Sequence, residues 1–268
     1  MQIEKDGLIS SKRGNDVLTF SEKSHRYKLN GKPIRSVTGI GKGGYPESHF
    51  LTGWKIGQGA EFAIKEYAKL WSTLKPGDYP AKKDIDEIIK SSKMAWTKKS
   101  EEAANIGTLV HDYAYCRETG QKVDNEKIQK HPDCKKIRAA IGKFDEWYKE
   151  NSDEVIGLEW IVASTNDWYA GKFDRLSKRM NRIVLTDYKT SSGIFIDMFF
   201  QLALYKRAIK DWLNLDVDAM EIVRFGKDGA FETKLMDDPK EIEEYTQQAL
   251  RNLDTVNFKK KYEGDYGF

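Results

Sequence analysis

No stretch of this chain constrains its fold more than Tyr169 to Thr190. Ala170-Gly171-Lys172-Phe173-Asp174-Arg175-Leu176 runs into a turn-prone Ser177-Lys178-Arg179-Met180-Asn181. Ile183-Val184-Leu185 then opens an apolar, β-branched run that continues through Thr186-Asp187-Tyr188-Lys189. Strand, turn, strand is the reading, with the turn centred near Arg179. An antiparallel pair folded there sets Asp174 opposite or diagonal to Asp187, within roughly 5 to 8 Å on a shared face. The period of two puts Lys189 on the face of Asp187. Two carboxylates converging on one space repel, and Asp187 ends an apolar run where an ionised group is costly unless paired or coordinated. A divalent, oxygen-seeking ion, Mg²⁺ or Mn²⁺, answers both demands. The alternative is a set of solvated surface ion pairs. Gly171, three residues before Asp174, allows close backbone approach on the same strand.

The elements around this hairpin set the fold class. Short strands are expected at 17–20 and 25–29, an Asn30-Gly31 hairpin turn follows, and Pro33-Ile34 extends beyond it. Gly39 to Pro46 holds four glycines with Lys42 and Tyr45, which is loop chemistry. Helical periodicity covers about 50–70. Lys75-Pro76-Gly77-Asp78-Tyr79-Pro80 then breaks the chain. Helices follow at 84–93, 97–117 and about 132–149, strands at 157–164, 169–176 and 182–189, and a helix at about 197–213. Strands near 219–225 and 231–235 and a helix from Pro239 complete the chain. That order predicts an α/β fold with a central mixed sheet flanked by helices, divided into an N-terminal region 1–95 and a core 96–268.

Charge is unevenly spread. The chain carries 45 Lys/Arg and 42 Asp/Glu, but residues 1–100 hold 19 against 11 and residues 101–268 hold 26 against 31. A basic front joined to an acidic, carboxylate-bearing rear suits a polyanion gripped by one part and processed by the other. Its alternative is a lysine-rich solvated face. Cys116 and Cys134 fit neither a disulfide framework nor a four-thiolate site, so a reducing compartment and no iron-sulfur cluster are expected. There is no apolar run of signal or membrane-spanning length, and the expected location is the cytoplasm.

Two further elements extend the hairpin. Gly107 and His111 lie four apart on an expected helix, with the glycine leaving room beside the imidazole. Gln201 and Tyr205 share one face of a largely apolar helix. Taken in order, Gly107-Thr108-Leu109-Val110-His111, Glu159, Gly171-Lys172-Phe173-Asp174, Asp187-Tyr188-Lys189-Thr190 and Gln201-Leu202-Ala203-Leu204-Tyr205 resemble the PD-(D/E)XK nuclease superfamily, in its RecB-like exonuclease branch. Phe173 stands where the superfamily's name has proline, and Asp187 is the second acid. The front half, with His25-Arg26-Tyr27, Arg35-Ser36-Val37-Thr38 and Leu51-Thr52-Gly53-Trp54-Lys55, is similar to phage exonucleases and to the mitochondrial genome-maintenance exonuclease.

The resemblance implies a metal-dependent DNA exonuclease that hydrolyses phosphodiester bonds with a metal-activated water and prefers single-stranded ends. His111, Asp174, Asp187 and the Tyr188 carbonyl would hold one or two ions. Lys189 would stabilise the attack, and Gln201 and Tyr205 would contact the substrate. Ser36, Thr38, Trp54 and Lys55 would contact the DNA, Trp54 and Lys55 along a basic, aromatic wall with Gly39–Tyr45. The other reading of Trp54 is a core residue. Glu159 either points into the site or lies on the surface. A viral origin, with location in the host cytoplasm and a role in DNA recombination, repair or replication, goes with the resemblance. So does a single-strand-annealing or single-strand-binding partner protein. The rivals are a phage-lambda-like duplex-end exonuclease, a structure-specific endonuclease, and a non-catalytic DNA-binding recombination partner.

Overall fold

A computed structural model describes residues 2–4, 7–44 and 47–266, with side-chain surroundings given from residue 7 to 263 apart from Lys42, Tyr45 and Pro46. The N-terminal strands β1 (Gln2–Glu4), β2 (Leu8–Arg13), β3 (Asp16–Ser21), β4 (Arg26–Leu29) and β5 (Lys32–Ser36) pair successively antiparallel. Asn30 and Gly31 make the β4–β5 turn with φ of 51° and 78°, as a tight two-residue hairpin turn requires. Helix α1 (Val37–Gly44) follows, then α2 (His49–Ser72), α3 (Lys82–Ser92), α4 (Ala95–Thr119), α5 (Asn125–Lys130) and α6 (Cys134–Glu150). The chain continues as β6 (Glu154–Ser164), β7 (Tyr169–Arg179), β8 (Arg182–Lys189), α7 (Ile196–Leu213), β9 (Ala219–Phe225), β10 (Phe231–Met236) and α8 (Pro239–Tyr266). The result is the expected mixed sheet flanked by helices.

Residues 39–44 are helical, not the loop that their glycines suggested. Ser36 Oγ accepts the Gly39 amide at 3.0 Å and so caps the first turn. Val37 and Ile40 are fully buried. The glycines serve packing, because a Cβ on Gly44 would stand 2.3 Å from the Asn252 carbonyl oxygen of α8. Tyr45, at the end of the expected aromatic wall, lies outside the described residues, as does Pro46.

The chain divides into two compact units, residues 1–45 with 109–268, and residues 46–108. The first joins the N-terminal strands to the core strands through a short parallel pairing of Arg35 and Ser36 on β5 with Tyr169 and Ala170 on β7. In the second, α2 and α3 bury no residue. Its ten Lys/Arg face nine Asp/Glu, so the positive excess of the N-terminal half sits in residues 1–45, with nine against four. Within it, Lys65 pairs with Glu61 and Lys69 with Glu66, each at 2.6 Å, and Lys55 pairs with Glu47.

What positions the site is a split edge on β7. Strand β6 covers one edge along nearly its whole length. On the other edge β5 takes Tyr169 and Ala170, and β8 takes Arg175 through Arg179. Gly171 to Asp174 lie in the gap. The β7–β8 turn is Met180-Asn181, between Arg179 and Arg182 in register, one residue beyond the sequence estimate. Beside β8, β9 runs parallel and is buried at every position, and α7 supplies the crossover that a parallel pair needs. With ten of its residues buried, α7 is the central core helix and not a surface one.

Gly171 is needed for a reason other than backbone approach. A Cβ there would stand 2.4 Å from Cε1 of Tyr205 and 2.9 Å from Cγ2 of Val37. Side chains from α7 and α1 fill the space. Gly171→Ala should cost about 1–3 kcal/mol in denaturant unfolding by overpacking, and an unchanged midpoint would show that Tyr205 moves freely.

Candidate active site

The gap beside β7 gathers the acids. Glu159 and Asp174 face each other at the step between the Leu158–Arg175 and Trp160–Phe173 pairs of β6 and β7. Glu159 takes φ of 53°, a left-handed conformation that a non-glycine residue adopts at a cost and that clusters at functional sites. His111, on α4, closes the group. Its Nδ1 lies 3.5 Å from Asp174 Oδ1 and 3.9 Å from Glu159 Oε1. One donor atom from each of His111, Glu159 and Asp174 lies within 4.8 Å of the others.

Tyr188 links these groups through three separate contacts. Its amide donates to Asp174 Oδ2 at 2.7 Å, its carbonyl is 3.0 Å from His111 Nε2, and its phenol donates to Glu118 Oε1 at 2.7 Å. With Nε2 donating to that carbonyl, Nδ1 is left to face the acids. This is the arrangement by which a backbone acceptor orients a metal-binding imidazole. Burial would raise the Asp174 carboxyl, but His111 foremost, then Lys189 and the Tyr188 amide, hold it below the usual range. Burial pulls His111 down, yet Asp174 and Glu159 outweigh it and keep the imidazole well above its ordinary value.

Asp187 lies outside the three-donor group. Its carboxylate, 3% exposed, meets the Lys189 ammonium. Burial pushes Asp187 up to about 6 while Lys189 pulls it back. Lys189 stays cationic, because Asp187 and Asp174 outweigh its own burial. The ammonium also donates to Gln201 Oε1 at 3.4 Å, and Gln201 Nε2 donates to the Tyr205 hydroxyl at 3.2 Å. Tyr205 is 4% exposed, packed over Gly171, and reaches Gln201 and not the solvent.

The remaining expected site residues are dispersed. Ser36 caps α1 and Thr38 is exposed on it. Trp54, at 39% exposure, is not a core residue. Lys55 lies 4.5 Å from the centre of the Trp96 ring. Glu159 is at the site and also pairs with Lys172.

The sequence reading missed the buried support beneath. Arg175 is wholly buried, not a surface partner of Asp174. It donates to Glu118 Oε2 at 2.7 Å, to Ser177 Oγ at 2.9 Å and to the Asn151 carbonyl at 3.0 Å. Burial raises the Glu118 carboxyl and Arg175 opposes that. The one signal available was the period of two, which puts Arg175 on the same face of β7 as the buried Phe173 and Ser177.

The donor set fits a divalent cation of the hard or borderline kind. Two carboxylates and an imidazole converge, with the buried Asp187 carboxylate and its Lys189 partner close by. A family model described as the PD-(D/E)XK nuclease superfamily matches residues 90–265. The chain belongs to that superfamily. PD-(D/E)XK nucleases use divalent metal ions, and His111, Glu159 and Asp174 are residues of this chain that could hold one. Similar solved structures include a protein assigned as an exonuclease from Eubacterium rectale, with 14% identity, 59% of this chain and 68% of that one covered, and a TM-score of 0.40. Another is the alkaline exonuclease of Laribacter hongkongensis, with 11% identity, 46% and 69% covered, and a TM-score of 0.27. No curated protein matches the chain. Among the described residues no helix is long and apolar enough to cross a membrane.

Proposed function

We propose that this PD-(D/E)XK nuclease is a Mg²⁺- or Mn²⁺-dependent deoxyribonuclease that removes nucleotides from single-stranded DNA ends. In this reading residues 96–268 carry the chemistry, and the region 1–95 grips the strand with its charge excess in residues 1–45. The observation that carries it is the convergence of His111, Glu159 and Asp174 beside an Asp187–Lys189 pair, on the split edge of β7. The motif order from Gly107 to Tyr205 supports the exonuclease branch. A non-catalytic descendant need not keep all of His111, Asp174, Asp187 and Lys189.

His111, Glu159 and Asp174 would hold the ion, with Asp187 as a further ligand on the Lys189 side. The ion, when bound, polarises the phosphoryl oxygens and makes water a usable nucleophile near neutral pH. Lys189 supplies a fixed ammonium for the negative charge that develops on the phosphoryl oxygens during in-line displacement. Gln201 holds that ammonium at 3.4 Å and Tyr205 in turn holds Gln201 at 3.2 Å, so Tyr205 is a positioning residue. Glu118 and Arg175 keep Tyr188, and through it Asp174 and His111, in register.

Labelled linear single-stranded DNA should be degraded in Mg²⁺ or Mn²⁺ and left intact after EDTA treatment. A covalently closed single-stranded circle should survive under conditions that consume the linear form. Cutting of the circle at a comparable rate would replace the exonuclease reading with an endonuclease, and degradation that persists in EDTA would remove the metal from the account.

A further inference from the structure

At the end of β7 away from the β7–β8 turn lies a groove of about 520 Å³, lined by Pro33, Ile34, Arg35, Trp168, Asn257, Lys260 and Lys261. Its lining holds three cations and no carboxylate. Among the described residues neither Arg35, Lys260 nor Lys261 makes an ion pair, unlike Lys55, Lys65 and Lys69 of the 46–108 unit. Two of the groups are held in place. Arg35 Nε donates to Asn257 Oδ1 at 2.8 Å and Nη2 to the Val256 carbonyl at 3.5 Å, which leaves Nη1 for a ligand. Trp168 Nε1 donates to the Pro33 carbonyl at 3.2 Å, which fixes the indole plane while 41% of the residue stays exposed.

The backbone adds an independent sign. Trp168 has φ of 56°, a conformation uncommon for a bulky side chain and worth a functional explanation. It is the last residue of the β6–β7 turn, where a smaller residue or glycine would be the relaxed choice. Lys261 also lies 5.1 Å from the centre of the Tyr262 ring. A fixed, exposed aromatic ring beside three cations without a carboxylate partner has the chemistry of a single-stranded polynucleotide track, in which a base stacks on the ring and phosphates meet the cations.

We propose that this groove binds the single-stranded DNA substrate away from the cut, as a second contact on the same strand. The inference rests on the nuclease reading and adds a location to it. Tyr169, beside Trp168, lies five residue steps along β7 from Asp174 at the acids, a span of about 17 Å at the usual strand rise. An oligonucleotide must therefore be several nucleotides long to touch both. A dinucleotide reaches only the acids.

The test compares the full chain with Trp168→Ala and with Lys260→Gln/Lys261→Gln, none of which removes a group placed in the chemistry. Fluorescence anisotropy in EDTA reads binding of a labelled single-stranded oligonucleotide of about twenty residues across a salt series. Cleavage of a dinucleotide and of the longer strand is read separately in Mn²⁺. Trp168→Ala should weaken binding of the long strand about tenfold. The double lysine variant should lower the slope of log affinity against log salt by about 1.4, the share of two phosphate contacts on a single strand. Both variants should raise KM for the long strand and leave dinucleotide cleavage unchanged. Wild-type affinity and slope in both variants would overturn the groove while cleavage still upheld the nuclease. Loss of dinucleotide cleavage would also overturn it, because the substitutions would then act on the acids. A wild-type chain that neither cleaves nor binds would instead remove the nuclease reading itself.

Discussion

Lys189→Ala and Asp187→Asn should each lower metal-dependent DNA cleavage by at least about 10²–10³-fold, the loss that follows removal of one preorganised charge-stabilising group. The two side chains face each other across a buried contact, and the ammonium is also held by Gln201. Neither substitution leaves its partner abandoned. Asp187, already raised to about 6 by burial, can take up a proton when Lys189 is gone, and Lys189 retains Asp174 and Gln201 nearby when Asp187 is gone. Thermal melting should accordingly shift little while activity collapses. Because the pair acts as a unit, the double variant should be no worse than the more damaged single one. Steady-state cleavage of end-labelled DNA beside melting curves reads all three. Activity losses that merely track losses of stability would reduce the pair to a structural salt bridge.

Glu118→Ala should destabilise the protein by about 1–3 kcal/mol, the cost of leaving a buried polar group unsatisfied while Asp153, 3.3 Å from Nη1, still pairs with the guanidinium. Arg175 would be left as a wholly buried guanidinium with its Nε unpaired, and the Tyr188 phenol would lose its acceptor. Chemical denaturation measures the loss. Replacing the network with apolar residues, as Glu118→Leu/Arg175→Met/Tyr188→Phe, should restore most of it, because buried pairs of this kind often break even against hydrophobic packing. A Glu118→Ala protein that unfolds at the wild-type denaturant midpoint would show that water reaches Arg175, contrary to its burial here.

Most of the fold was legible because its strongest signals are local. The Asn30-Gly31 turn, the apolar, β-branched run of β8 and the long apolar face of α7 each follow from backbone preference and burial within a few residues. The errors came where distant packing decided. Val37 to Gly44 carries glycines that read as loop, and only the approach of α8 at Asn252 explains them as helix. Short strand β2 and helix α5 lack strong periodicity of their own. The site divides the same way. Asp174, Asp187 and Lys189 could be placed together from hairpin register alone, and His111 joined them by its likeness to a family motif. Glu159 was left between site and surface, because its left-handed backbone is invisible in sequence. A surface ion pair with Asp174 was the alternative open for Arg175, and no local feature announces that Glu118, 57 residues away, will meet it in the interior.

Calorimetric titration with Mn²⁺ most directly tests the claim that this nuclease works through an ion held by His111, Glu159 and Asp174. Wild-type protein should bind Mn²⁺ over the same concentration range in which DNA degradation appears. His111→Ala, Glu159→Ala and Asp174→Ala, each still folded, should bind it at least about tenfold more weakly. Asp174→Ala protein that bound Mn²⁺ as tightly as wild type would contradict the assignment.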